Sequence, residues 1–380
     1  VFTRDNSPSD NDSIDSSSNL SSSVTSASLP GHQSPHRNAM PSIESSDGTQ
    51  PDTRTSNDAT FADSMGSAVI DPALLDGIES VRTELQRVIR GKADVIDQVL
   101  IAILAEGSVL LEDVPGVGKT TLAKSLAALF DLQFQRVQCT PDLLPADILG
   151  SSIFQPSSGE FQFRPGPIFC DLLIADEINR ASPRTQSALL EAMAESQVTI
   201  DGKQYQLTQP FIVIATQNPV GFEGTFPLPE SQLDRFLFRL SMNYPDFESE
   251  IALLIDQASE EPSDHLRSVM SRDHLVRLQQ QVRSVTFDRK VAGYLVHLVG
   301  ATRRDSRLRV GCSPRGSKML LRAAQARAVL QKRTFVLPDD VQAIAVEVLA
   351  HRVACRNLSA TPDEAAQIIV DLVAQTEVPV

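Results

Sequence analysis

Leu110-Leu111-Glu112-Asp113-Val114-Pro115-Gly116-Val117-Gly118-Lys119-Thr120-Thr121 decides how the rest of this chain is read. An apolar run from Val109 to Leu111 enters a tight glycine-containing turn. Lys119, Thr120 and Thr121 leave it into a helical pattern of Leu122, Ala123, Leu126 and Ala127. Strand, turn and helix in that order gather the turn's N–H groups and the unpaired N–H groups of the helix start around phosphate oxygens. In such a cradle Asp113 to Thr121 wrap the phosphates of a nucleoside triphosphate. Lys119 reaches the β- and γ-phosphates, and the Thr120 hydroxyl completes a Mg²⁺ shell. The usual spacing, G-x-x-x-x-G-K-[ST], has glycine where this chain has Asp113. Gly116 and Gly118 are kept, so the loop is expected to wrap and Asp113 to be a tolerated variation. The competing reading is an ordinary strand–turn–helix with a chance Gly-Lys-Thr.

The chain has 380 residues, 41% of them hydrophobic, enough for two or three domains with a substantial core. The apolar residues are unevenly spread. Residues 1–67 are dominated by Ser, Asp, Asn, Thr and Pro, a composition that cannot bury enough surface to offset its ordering entropy. A disordered tail is expected there. No basic stretch followed by an apolar core marks a signal peptide, and no run approaches membrane-spanning length. Cys139, Cys170, Cys312 and Cys355 form no C-x-x-C pair and are expected to be small buried hydrophobes in a reducing cytoplasm. The net charge of −14, the absence of Trp and the presence of only three Tyr argue against nucleic acid as a partner. Arg303, Arg304, Arg307 and Arg309 form a local basic run, expected to be a solvated face.

From Asp71 to Glu106 two amphipathic helical patterns are broken at Arg90-Gly91-Lys92. Five short β-type runs follow: Val109–Leu111, Phe134–Cys139, Leu172–Ala175, Phe211–Thr216 and Phe236–Met242. Several are apolar almost throughout, as strands buried on both faces of a parallel sheet are. Helical segments between them predict a three-layer α/β domain over residues 68–245. Two stretches interrupt it, each reading as a hairpin: one about Ser157-Ser158-Gly159, the other about Asp201-Gly202. Insertions on such scaffolds commonly carry specificity. Beyond Pro245 the pattern is helical only, with Pro338 and the Thr361-Pro362-Asp363-Glu364 box opening the last two helices. A smaller all-α domain over residues 246–380 is expected.

Chemistry at the phosphate needs a metal ligand and a base. Leu172-Leu173-Ile174-Ala175-Asp176-Glu177 is an apolar strand ending in two acids. Asp176 is placed to hold Mg²⁺ through water, and Glu177 to polarise the attacking water. One strand on, Ala215-Thr216-Gln217-Asn218-Pro219 ends in a polar side chain, and Asn218 is positioned to hydrogen-bond the γ-phosphate or that water. Cys312-Ser313-Pro314-Arg315 reads as an N-cap, a first-position proline and a cation in the first helical turn. That cation opposes the helix dipole at a cost of about 0.3–1 kcal/mol, which a bound phosphate offsets.

The order of these elements resembles the AAA+ ATPases, with Walker A, Walker B and sensor 1 in sequence. The finer text resembles the MoxR family: Thr140-Pro141-Asp142-Leu143-Leu144-Pro145-Ala146-Asp147, Asp176-Glu177-Ile178-Asn179-Arg180-Ala181, Leu189-Leu190-Glu191-Ala192-Met193, Gln217-Asn218-Pro219 and Leu233-Asp234-Arg235-Phe236. It covers residues 71–380. The resemblance implies a P-loop core with a helical lid, ATP and Mg²⁺ as cofactors, and Glu177, Asn218, Arg235 and Arg315 as catalytic residues. By it, Arg315 is sensor 2, reaching from the lid to the nucleotide. Arg235 is the arginine finger of a neighbouring subunit, with Arg180 and Arg184 as rivals. Gly91 lies where such ATPases hold the adenine, although a plain helix break explains it too.

A finger acting in trans implies a homo-oligomeric ring, a hexamer. The family implies chaperone-like maturation of protein complexes, with a protein client and a separate partner carrying a von Willebrand factor A domain. The ATPase subunit of a metal-chelatase fits the same hairpins. A nucleic-acid motor and a nucleotide-gated scaffold are the readings of other classes. Charge opposes the first of these, and the joint presence of Glu177, Asn218, Arg235 and Arg315 opposes the second.

Overall fold

The computed structural model describes residues 70–114, 116–218, 225–256, 266–357 and 361–379. The expected tail, Pro115 of the loop and Pro219 lie outside these residues. Two helices come first, α1 (Pro72–Val88) and α2 (Ala93–Leu104). The Asp71 side chain accepts from the Ala73 N–H at 2.9 Å and Pro72 takes the first helical position, so α1 starts where its sequence says. Leu74, Ile78, Val81 and Leu85 give it one buried stripe, whereas α2 is apolar and buried over most of its length.

The α/β part then alternates: β1 (Val109–Glu112), α3 (Lys119–Phe130), β2 (Phe134–Gln138), α4 (Pro145–Leu149), β3 (Gly150–Gln155), β4 (Glu160–Pro165), β5 (Leu172–Asp176), α5 (Pro183–Glu195), β6 (Gln197–Ile200), β7 (Lys203–Gln206), β8 (Ile212–Gln217), α6 (Glu230–Leu233) and β9 (Phe238–Leu240). Five of the strands form one parallel sheet in the order β2-β5-β8-β1-β9. Their side chains alternate between two cores. Leu172, Ile174, Ile212 and Ile214 pack with Leu122 and Leu126 of α3, while Leu173, Ala175, Val213 and Ala215 pack with Leu189 and Leu190 of α5. Burial on both faces is why these runs carry no polar alternation. The strands β3–β4 and β6–β7 make the two expected hairpins, the second turning through Asp201 and Gly202 at φ 51° and 76°.

The C-terminal part contains α7 (Phe247–Asp256), α8 (Arg272–Arg283), α9 (Arg289–Thr302), β10 (Leu308–Val310), α10 (Pro314–Leu330), α11 (Pro338–Leu349), β11 (Ala354–Cys355) and α12 (Pro362–Gln375). The antiparallel pair β10–β11 corrects the expectation of helices only. Two or three residues are too few for a strand period to show in sequence. All four arginines of the basic run are exposed, and two of them pair with acids. Arg307 pairs with Asp305 at 2.8 Å and Asp371 at 2.6 Å, and Arg309 with Glu230 at 2.9 Å. All four thiols are free. Burial pushes those of Cys139 and Cys170 up to about 12, so both act as hydrophobes at neutral pH. Among the described residues no helix is long and apolar enough to cross a membrane.

The lid is docked by a buried charge. Arg352 is 7% exposed, and its guanidinium donates to the carbonyls of Phe236 and Leu237 while its Nε stands 3.1 Å from Asp234 Oδ1. Those acceptors lie just before β9, so the lid is fastened to the amino end of that strand. Beside it His351 Nε2 lies 3.1 Å from the Phe236 carbonyl. Burial, with Arg352's charge second, holds the imidazole well below its ordinary 6.5, and it is neutral in the fold. The unfolded chain therefore binds the extra proton. This group's contribution is complete above pH 6.5 and is lost as pH falls from there towards the folded value, by up to about 1.4 kcal/mol per pH unit. Thermal melts of wild type and His351→Asn at pH 7.5 and 5.5 test this: the wild type should lose more melting temperature on acidification than the variant.

Candidate functional site

Parallel pairing brings the carboxyl ends of β1, β5 and β8 to one edge, and the phosphate loop rises from the middle of it. Gly116 and Gly118 take φ 89° and 93°, which only glycine adopts without strain, and a Cβ on Gly116 would meet nothing within 4 Å. Gly118 leads into α3 without any side-chain cap. The first N–H groups of α3 thus have no side-chain acceptor, the arrangement that receives an anion. Lys119 Nζ folds back on the loop, donating to the carbonyls of Asp113 at 2.7 Å and Val114 at 3.1 Å. Burial pushes its ammonium below the ordinary value, against the pull of the Asp113, Asp176 and Glu177 carboxylates. A cation among three acids beside open helix N–H groups fits a phosphate bound with a metal ion. Thr120 and Thr121 follow half-buried in the first turn of α3, and Val117 is half-buried in the loop.

The acidic pair is fixed from its neighbours. Asp176 is 6% exposed; its Oδ2 accepts from Arg136 Nε at 2.7 Å and its Oδ1 from Thr216 Oγ1 at 3.2 Å. Two of roughly four carboxylate acceptor positions are used, and the rest are open to metal-bound water. Glu177 turns away in the left-handed region at φ 56°, a conformation costing a non-glycine residue about 1–2 kcal/mol. The Glu177 N–H donates to Thr216 Oγ1 at 2.9 Å, which holds that turn. One hydroxyl therefore orients both acids. Glu177 Oε2 pairs with Arg180 at 2.9 Å. Asn218 follows β8 directly, its carbonyl accepting from Asn179 Nδ2 at 3.1 Å, so the ends of β5 and β8 are tied together.

The structure gathers the phosphate loop, Asp176, Glu177 and Asn218 at one edge of the sheet. Two expected residues, Arg315 and Arg235, lie elsewhere. Arg315 is exposed in the first turn of α10 and borders a shallow cleft with Gly107 and Leu237, at the amino ends of β1 and β9. The four residues of β1, roughly 13 Å of strand, separate that end from the loop of the same chain. The expected reach of Arg315 to its own nucleotide is thus corrected, because Arg352 fastens the lid at the far end of β9. Arg235 is half-buried and donates to the Leu190 carbonyl of its own α5 at 2.8 Å, whereas Arg184 is exposed and has no described partner. Gly91 has φ 70°, and a Cβ there would lie 2.7 Å from Asp246 Oδ2 and Ser249 Oγ, which is a packing requirement.

Asp113 has a role beyond the spacing. It is a buried acceptor for three donors, a role the pattern comparison does not show. Ser241 Oγ donates to its Oδ1 at 2.8 Å, the Asn243 N–H to the same oxygen at 3.0 Å, and the Met242 N–H to Oδ2. Sequence reading missed Arg136, Thr216 and Asn179 as site residues. Their only signal was polarity inside β-type runs or beside the acids, which becomes informative once the strand order is known.

Comparison with known proteins agrees with this geometry. Residues 108–238 match the ATPase family associated with various cellular activities (AAA), and residues 300–372 match the AAA lid domain. The chain is 50% identical over 268 residues to the Bacillus subtilis uncharacterized protein YeaC, covering 70% of this chain and 84% of that one. It is 36% identical over 308 residues to the Mycobacterium tuberculosis chaperone MoxR1, covering 79% and 81%. A candidate ATPase from Cytophaga hutchinsonii has a similar structure, with a TM-score of 0.74 at 35% identity over 80% of this chain and 96% of that one.

Lys119→Ala removes the ammonium that trades loop carbonyls for phosphate. Loss of a charge-assisted hydrogen bond worth about 1.5–3 kcal/mol should weaken a fluorescent ATP analogue roughly 10- to 150-fold, with unchanged circular dichroism. Equilibrium titration checks it; affinity within twofold of wild type would remove Lys119 from the site.

Proposed function

This chain belongs to the MoxR family of AAA+ ATPases, and we propose that it hydrolyses ATP as one subunit of a homo-oligomeric ring, a hexamer, that remodels or matures protein complexes. The observation that carries the reading is the Asp176–Thr216–Glu177 unit standing beside an uncapped, glycine-formed phosphate cradle. Backbone N–H groups from Gly116 to Thr121 take the phosphate oxygens. Lys119 moves from the carbonyls of Asp113 and Val114 to the β- and γ-phosphates. Thr120 and Asp176 are the residues to hold Mg²⁺, which when bound neutralises charge between the two terminal phosphates. Glu177 exchanges Arg180 for the attacking water and takes its proton, while Asn218 orients that water against the γ-phosphate.

The position of Arg315 supports the ring. An arginine at the amino ends of β1 and β9 serves nucleotide bound by an adjacent copy more readily than its own. Arg235 is proposed as the second trans arginine, released from Leu190 on assembly, with Arg184 and Arg180 as its rivals. Phe163 of the first hairpin stacks on Tyr205 of the second, with centroids 4.1 Å apart and planes 28° apart, so the two hairpins are in contact. Phe154 and Phe161 stand exposed on the first, an apolar surface for a protein client. The chaperone relative supports that role, and a separate protein with a von Willebrand factor A domain is the partner the family suggests.

Glu177→Gln should bind ATP yet hydrolyse it about 10²- to 10⁴-fold more slowly, the usual yield of a general base. Unchanged turnover would sink the assignment. Captured as an ATP-loaded trap, this variant also gives the bait for identifying client and partner by mass spectrometry. The trans role is read by mixing two inactive chains, Lys119→Ala and Arg315→Ala. Activity returns in the mixture if Arg315 serves a neighbour, and stays absent if it serves its own nucleotide.

A further inference from the structure

Asp113 stands at the position the generic phosphate loop gives to glycine, where a side chain has no role in phosphate binding. Here it is 6% exposed, and both its oxygens face the segment that leaves β9. Ser241 Oγ and the Asn243 N–H converge on one oxygen at 2.8 and 3.0 Å, and the Met242 N–H takes the other. The main chain of Asp113 is held as firmly: its N–H donates to the Gln217 carbonyl at 3.3 Å, and its carbonyl accepts from Lys119 Nζ. One residue thus touches β8, the phosphate-binding lysine and the strand end beyond β9.

That strand end is the passage into the C-terminal part. Asn243 sits in the left-handed region at φ 54°, Lys92 Nζ donates to the Tyr244 carbonyl at 2.7 Å, and Asp246 accepts from the Ser249 N–H as α7 begins. The segment has no partner strand of its own on that side, since β9 is the edge of the sheet. Its described hydrogen bonds to the loop run through the Asp113 carboxylate, beside the Met242 side chain packed near Gly118.

We infer that Asp113 is a positioning clasp: its carboxylate couples the phosphate loop to the 241–246 segment, so that occupancy of the loop is transmitted to the passage into the lid. Phosphate binding draws Lys119 off the Asp113 carbonyl. The peptide that this releases is the one whose side chain holds the Met242 and Asn243 amides. The inference rests on the ATPase reading, but half of its test does not.

Asp113→Gly restores the generic glycine and removes the clasp. The expected result is affinity for a non-hydrolysed ATP analogue within about threefold of wild type and a kcat at least roughly tenfold lower. Amide exchange at Met242 and Asn243 should be about tenfold faster and no longer changed by nucleotide. Asp113→Asn keeps an acceptor for Ser241 and Asn243 but turns a donor towards the Met242 N–H, and should fall between. Ser241→Ala leaves Asp113 in place and guards against a glycine variant that does not fold; kcat should drop about two- to fivefold at unchanged KM. A glycine variant with wild-type turnover and wild-type amide protection overturns the clasp, as does a raised KM at unchanged kcat. Wild-type chain that neither binds nor hydrolyses ATP overturns the ATPase reading instead. Exchange of the two amides without nucleotide still reads the clasp in that case.

Discussion

The parallel pairing of β1 between β8 and β9 is the constraint on which the rest of the molecule depends. Pairing Val109 with Ile214 and Phe238 sets all three strands to end at one edge. β5 joins through β8 in the same sense, Leu172 level with Ile212. The acids after β5, the amide after β8 and the loop after β1 then meet without any of them being close in sequence. A shift of one residue in any pairing would move every side chain to the opposite face. The two separate cores, one towards α3 and one towards α5, make that shift costly.

Polar contacts do the remaining positioning, and each is local. Thr216 orients Asp176 and Glu177 at once, with one hydroxyl accepting from a backbone N–H and donating to a carboxylate. Arg136 supplies a cation on the other side of Asp176. Asp113 faces the strand end beyond β9, and Arg352 binds the stretch before it. The two ends of one edge strand are therefore fixed by different charged side chains, one at the loop and one at the lid. Arg352 is fully enclosed and its loss of a partner would cost about 3–5 kcal/mol, so the lid's seat at the amino end is firm. That seat separates Arg315 from the loop of its own chain, and the separation is the physical ground for the proposal that the active unit is an assembly.

Much of this was legible in the chain. All five sheet strands and both hairpins could be located, because apolar runs bounded by Gly, Pro and Asp-Gly turns have few other readings. The caps were legible for the same local reason: Asp71-Pro72, Ser313-Pro314 and Thr361-Pro362 each start a helix. Asp176, Glu177 and Asn218 stood at strand ends, where polar residues after apolar runs are conspicuous, and Lys119 at the helix start that follows a glycine turn. Thr216 and Arg136 were not legible, since their partners are 40 residues away and become neighbours only through strand order. The pair β10–β11 was too short to carry a period. The partners of Asp113 were not legible because a pattern asks which residue is missing, whereas the fold shows what the residue present is bound to.

The sequence by itself determined the alternation of strands and helices, the phosphate loop and the chemistry at the strand ends, because these rest on local periodicity and on residues a few positions apart. Tertiary structure alone decided which side chains serve that chemistry from a distance and which end of the sheet the lid occupies. Those choices depend on strand order and on two buried charges, Asp113 and Arg352, whose partners lie more than a hundred residues away in the chain.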